Sequence, residues 1–205
     1  MRFIVLGILL LSHVFLQGQD NPGKVSFGLR STISMFNHGE NTVGRGVGGQ
    51  FRVQLLDRLN TEWFADYLPG TLSANANRRD YHIGWSVMYY LKDHDQFKRS
   101  FLPYLLAGHC FDYTRINVRD GGDFNVSYQD PNFRWTSAIQ AGLGSHYNIS
   151  QRLDLSLSAQ YMMHFGKHLH LEESGNDITI YREDHGGIEG HLLVTLSMNY
   201  KFGSR

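Results

Sequence analysis

The chain has 205 residues, and its 19 Lys+Arg are balanced by 19 Asp+Glu, so no basic excess marks it for nucleic acid. The length suits one domain, and a single cysteine, Cys110, excludes an internal disulfide framework. Twenty-two glycines with 13% aromatics suit a turn-rich all-β chain, a composition shared by secreted sandwiches and by barrels.

The N-terminus reads as an export signal. Met1-Arg2 supplies a positive start, residues 3–16 are an almost unbroken apolar run, and small Gly18 allows cleavage before Gln19. Residues 1–18 are therefore expected to be a signal peptide and residues 19–205 the mature domain. The apolar run is shorter than the roughly 20 residues of a spanning helix, and no other stretch approaches that length. Cys110 lies too far along the chain to be a lipidated N-terminus.

Beyond the signal, alternation of apolar and polar residues predicts eight strands, because successive strand side chains point to opposite faces. Strand one, residues 24–36, sets Val25, Phe27, Leu29, Ile33 and Met35 against Ser26, Gly28, Arg30, Thr32 and Ser34. Strand two, 47–55, sets Phe51, Val53 and Leu55 against Gln50, Arg52 and Gln54; strand three, 59–68, sets Leu59, Trp63, Ala65 and Tyr67 against Asn60, Glu62 and Asp66. Strand four, 81–91, alternates aromatic or aliphatic residues with His82, Gly84, Ser86 and Met88. Strand five, about 101–115, has no assignable faces, since Leu105 and Leu106 are adjacent and Pro103 cannot donate to a ladder. Strand six covers 133–149, strand seven 153–165 and strand eight 194–202. Strand seven sets Leu153, Leu155, Leu157, Ala159, Tyr161, Met163 and Phe165 against Asp154, Ser156, Ser158, Gln160 and His164, and strand eight alternates without a fault, Val194, Leu196, Met198, Tyr200 and Phe202 against Thr195, Ser197, Asn199 and Lys201.

Connections alternate in length. Residues 56–58, 92–100 and 150–152 are the shorter ones; 37–46, 69–80, 116–132 and 166–189 are longer and rich in Gly, Asn and Asp. Short periplasmic turns and long extracellular loops are the pattern of outer-membrane barrels, and a meander with both termini on the short-turn side requires every second connection to be long.

Which face meets lipid follows from the polar one. A water-exposed wall carries many Lys and Glu side chains, whereas here the polar face is mostly Ser, Thr, Asn, Gln and Gly. That is the lining of a narrow barrel, with Gly28, Gly84, Gly142 and Gly144 relieving crowding in an interior only wide enough for side chains. A soluble lipocalin-like barrel has the opposite sense. The apolar face of the seven readable strands carries no charge, and Tyr67, Tyr81, Tyr89, Trp135, Tyr147, Phe165, Tyr200 and Phe202 sit near its strand ends as interfacial girdles do.

The signal, the eight amphipathic strands, Pro103-Tyr104-Leu105-Leu106-Ala107-Gly108 and the closing Tyr200-Lys201-Phe202 together resemble the small eight-stranded outer-membrane barrel family, OmpA/OmpX-like and often labelled porin-like. The resemblance covers essentially the whole mature chain. It implies an all-β, eight-stranded antiparallel up-and-down transmembrane β-barrel in the outer membrane of a Gram-negative envelope. It departs from the family's usual ending in Gly203-Ser204-Arg205 after the last aromatic.

Two groups of polar residues stand out. Arg30, Arg52, Glu62 and Asp66 share the inward face of the first three strands and are expected to pair as a salt-bridge cluster plugging the lumen, the other reading being a gated ion path. His164, His168 and His170 share a parity, and His191 is inward on strand eight. If strand seven continues outward as a ladder, these four form a weak transition-metal site at the extracellular mouth; otherwise they are polar rim groups. Lipid A deacylases of this size need a serine and an acid beside a histidine, and the His164 and His168–His170 segments contain no serine. The expected function is accordingly a non-enzymatic barrel with a structural, adhesive or loop-binding role, the alternative being a narrow porin-like channel for small solutes. No cofactor is expected. Expected partners are outer-membrane lipid and lipopolysaccharide, the barrel assembly machinery and an extracellular ligand held by the long loops, with no nucleic acid; the chain is expected to be a monomer.

Overall fold

A computed structural model describes residues 25–36, 43–92, 101–119, 124–166, 169–182 and 187–202. Residues 1–18, expected to be a signal peptide, residues 93–100, His168, His185 and the last three residues lie outside the described residues.

Among the described residues eleven strands form: β1 (Val25–Phe36), β2 (Val43–Leu56), β3 (Leu59–Thr71), β4 (Ala76–Tyr90), β5 (Phe101–Val118), β6 (Asn125–Tyr128), β7 (Phe133–Asn148), β8 (Leu153–Gly166), β9 (Leu169–Ser174), β10 (Asp177–Arg182) and β11 (Gly187–Phe202). Eight of them close a barrel in the order β1-β11-β8-β7-β5-β4-β3-β2, every pair antiparallel. Closure removes the sheet edges that lipid cannot satisfy. The other three strands, β6-β10-β9, make a separate sheet in which β6 runs parallel to β10.

The faces follow the alternation. Leu29, Trp63, Ile83, Trp135, Leu143, Leu157, Leu196 and Met198 are each more than half exposed on the outer wall, while Thr32, Arg52, Ser86, Gln140, Ser156 and Asn199 are buried within. The glycines also do what crowding requires: a side chain at Gly28 would collide with Asn199, and one at Gly144 with the Tyr104 ring.

Strand five acquires its faces here. Phe101, Leu105 and Phe111 point out, and Leu102, Tyr104, Leu106 and Cys110 point in. The adjacent leucines are explained by an apolar plug of Met88, Tyr90, Leu102, Tyr104 and Leu106 inside the barrel near the short turns. Where the lumen itself is apolar, both faces of a strand are apolar and alternation disappears.

Three expected loops are shorter than their sequences suggest. Residues 69–80 are mostly hairpin, since β3 runs to Thr71 and β4 starts at Ala76, leaving a turn closed by Leu72 N–H to Ala76 O at 3.0 Å. Residues 116–132 contain β6, and 166–189 contain β9, β10 and the start of β11. Ile180 and Leu169 from this extra sheet pack on Ala76 and Ile116 of the wall, so an apolar cap closes the long-loop end.

Candidate functional site in the barrel lumen

Between plug and cap the inward side chains form two polar groups, one of ion pairs and one of histidines, with an apolar cluster of Phe64, Cys110, Ala138, Met162 and Leu193 also buried in the lumen. Arg52 on β2 donates from Nε to Glu62 Oε2 at 2.7 Å and from Nη1 to Asp154 Oδ1 at 3.3 Å, reaching across to β8. Arg30 on β1 donates to Glu62 Oε1 at 3.3 Å and faces Asp66 Oδ1 at 3.0 Å in an ion contact off the hydrogen-bond direction. Its guanidinium also lies 4.4 Å from the centre of the Phe64 ring. The four charges singled out in the sequence are thus joined in one chain of ion contacts, Arg52 to Glu62 to Arg30 to Asp66. Asp154, their fifth member, had the inward parity but no sequence signal placing it opposite Arg52. Asn199 links the group to β11 by donating to Asp154 Oδ1 at 2.8 Å and accepting from Gln50 at 2.6 Å.

The histidine group lies towards the cap. His164 Nε2 lies 2.9 Å from His191 Nε2, and His191 Nδ1 lies 3.0 Å from Ser34 Oγ. His164 Nδ1 is 3.3 Å from Asp112 Oδ2, and the other Asp112 oxygen is 3.5 Å from His82 Nε2. Of the four histidines expected to converge, His164 and His191 do. His170 does not: β8 ends at Gly166, whose φ of 137° breaks the ladder, and His170 restarts on β9, exposed and stacked on Tyr181. His168 lies outside the described residues. His82 and Asp112 take the vacated roles, both from the far wall of the lumen.

The outer wall carries a belt. Tyr67, Tyr81, Tyr113 and Trp135 sit side by side on β3, β4, β5 and β7, with ring centres 5.0, 5.9 and 4.8 Å apart. One step further out, Arg79 of β4 and Arg115 of β5 pair across the ladder, and Arg45 of β2 is likewise exposed. Below the belt, Trp135 and Tyr147 on β7 are separated by twelve residues. That is roughly 40 Å along a strand at about 3.3 Å per residue, which a tilt of about 40° projects onto roughly 30 Å, the thickness of a hydrocarbon core. Sequence reading missed one polar pair on this wall, because strand five had no faces: His109 Nε2 and Ser137 Oγ meet at 2.6 Å. Each satisfies the other in an apolar setting.

No family model matches the sequence, and no curated relative is detected by sequence similarity. Solved structures are similar in shape. The Neisserial surface protein A matches with a TM-score of 0.62 at 13% identity, covering 89% of this chain and 99% of that one. A major outer membrane protein of Thermus thermophilus gives 0.55 at 10% identity over 87% and 99% of the two chains, and the N-terminal β-barrel domain of Pseudomonas aeruginosa OprF gives 0.53 at 10% over 89% and 100%. At such identities the likeness concerns the fold.

Proposed function

We propose that this chain, which has the fold of the small eight-stranded outer-membrane β-barrels, is a non-enzymatic outer-membrane protein whose barrel is a closed anchor for a surface-displayed sheet. Residues 1–18 would direct export and then be removed, with insertion by the barrel assembly machinery.

The observation that carries this reading is the Arg30, Arg52, Glu62, Asp66 and Asp154 network spanning the lumen between an apolar plug and an apolar cap. Ions crossing it would have to break buried ion pairs, which is costly. The outer wall supports the membrane setting: an aromatic belt followed by exposed Arg45, Arg79 and Arg115 suits tyrosines at the headgroup level and guanidinium groups against the phosphates of lipopolysaccharide. Above it, β6 exposes Val126 and Tyr128 and β9 exposes Glu172 and Glu173, a mixed surface able to contact an extracellular ligand.

Purified, refolded protein in a planar bilayer tests the closed anchor. The expected record is silent apart from rare flickers. Steady conductance from the wild type would favour the narrow-channel alternative.

A further inference from the structure

Beyond that function, we propose that His82, His164 and His191 form an internal binding site for one transition-metal dication of the zinc type, clamping β4, β8 and β11 together. Each ring offers a nitrogen such that the three lie within 4.8 Å of one another, and all three residues are at most 2% exposed.

The chemistry of the surroundings favours a cation. Imidazole nitrogen is a common ligand of zinc, copper and nickel. A ligating histidine characteristically gives its other nitrogen to a hydroxyl, carbonyl or carboxylate, which fixes the ring. That arrangement is present for two of the rings: Ser34 stands at His191 Nδ1 and Asp112 at His164 Nδ1, leaving the two Nε2 atoms aimed at one another 2.9 Å apart. Three nitrogens on one tetrahedral ion, with bonds of about 2.0–2.1 Å, stand roughly 3.3 Å apart, so these two need open by only a few tenths of an ångström.

A second observation is independent of the spacing. Among the described residues, neither ring nitrogen of His82, nor Oδ1 of Asp112 beside it, makes a hydrogen bond, their one polar contact being the 3.5 Å approach of His82 Nε2 to that oxygen, although both residues are buried. Buried polar atoms seldom go unmatched, and an ion or an ordered water is the usual explanation. Asp112 also supplies negative charge 3.3–3.5 Å from two of the rings, which offsets the dication and suits an outer-sphere partner. The site lies beneath the Ala76, Ile116, Leu169 and Ile180 cap, so loading is expected during folding rather than by diffusion into the finished barrel.

The test uses untagged full-length protein, refolded in detergent with zinc chloride or with cobalt chloride and then passed through a chelating resin. The wild type should retain one zinc per chain, and the cobalt form should show the intense visible bands of a tetrahedral site. His82→Gln and His191→Gln should each weaken zinc binding more than tenfold, and Asp112→Asn by roughly 10–100-fold; His170→Ala should change nothing. A folded wild type that retains no metal and gives only the weak bands of hexaaqua cobalt would overturn the proposal, with water then matching His82. Zinc binding unaltered in both glutamine variants would overturn it too. Should those variants fail to fold, the cobalt spectrum and zinc content of the wild type still decide.

Discussion

Replacing Arg52 by methionine removes the side chain that ties β2 to both β3 and β8. The guanidinium holds Glu62 at 2.7 Å, Asp154 at 3.3 Å and Ser197 Oγ at 3.4 Å. In its absence Glu62 keeps one contact, to Arg30 at 3.3 Å, and Asp154 keeps Asn199 at 2.8 Å. Two nearly dry carboxylates then share less positive charge, and breaking a buried pair from one side costs about 3–5 kcal/mol. The retained partners argue for the lower part of that range, about 3 kcal/mol. Methionine fills part of the stem volume, so little of the loss is a cavity term. Arg52→Met combined with Glu62→Gln removes both charges and should cost less than Arg52→Met alone, giving a coupling energy of about 1–3 kcal/mol in a double-mutant cycle. Equilibrium urea unfolding in lipid vesicles, followed by tryptophan fluorescence, measures both quantities. A loss below about 1 kcal/mol, or strict additivity, would show the charges separately solvated rather than joined in a network across the lumen.

Trp63, Trp85 and Trp135 are 52%, 41% and 66% exposed on the outer wall. Brominated acyl chains should therefore quench most of the folded protein's fluorescence; a soluble barrel with apolar residues inside would be unaffected. Ile180, fully buried in the cap, anchors β10. Ile180→Ala should loosen the extra sheet locally by about 2–5 kcal/mol, speeding proteolysis within residues 169–182 while the barrel keeps its heat-modifiable migration on a gel. Loss of that migration would mean the cap is part of the barrel's own stability. A leucine at Gly144 would meet the Tyr104 ring and the backbone of Leu157, and should lower the urea midpoint clearly, whereas leucine at Gly70, at the end of the β3–β4 hairpin where an added side chain has only the Arg78 carbonyl at 4.0 Å nearby, should not. Equal effects at the two positions would contradict a close-packed lumen.

The legible parts of this protein were those in which one physical demand governs a whole strand. From Val194 to Phe202 an apolar outer wall on one side and a packed polar lumen on the other impose strict alternation, and from Leu153 to Phe165 only Met162, buried in the lumen, interrupts it. Strand β5 obscured its faces because Leu102, Tyr104 and Leu106 turn an apolar side inward to the plug. The hairpin at residues 69–80 looked like a loop because its Gly, Asn and Asp residues rise beyond the belt, where strands meet water and lose the apolar half of the pattern. Parity placed His82, Asp112 and Asp154 on no common site because partners across a barrel depend on its stagger, which alternation does not encode. Arg30, Arg52, Glu62 and Asp66 were accessible because they lie on consecutive, directly paired strands. His170 went astray at Gly166, where the chain leaves the wall.

The central claim is that the apolar face meets lipid in the outer membrane, with the extra sheet outside the cell and the short turns inside. It is tested most directly by inserting one epitope at the β9–β10 turn beside Gly175, exposed and at a φ of 62°, and another beside Asp57 in the β2–β3 turn. On intact cells antibody should label the first and not the second, and permeabilisation should reveal both. Labelling of the Asp57 epitope alone, or recovery of the protein as a soluble periplasmic species, would contradict the account.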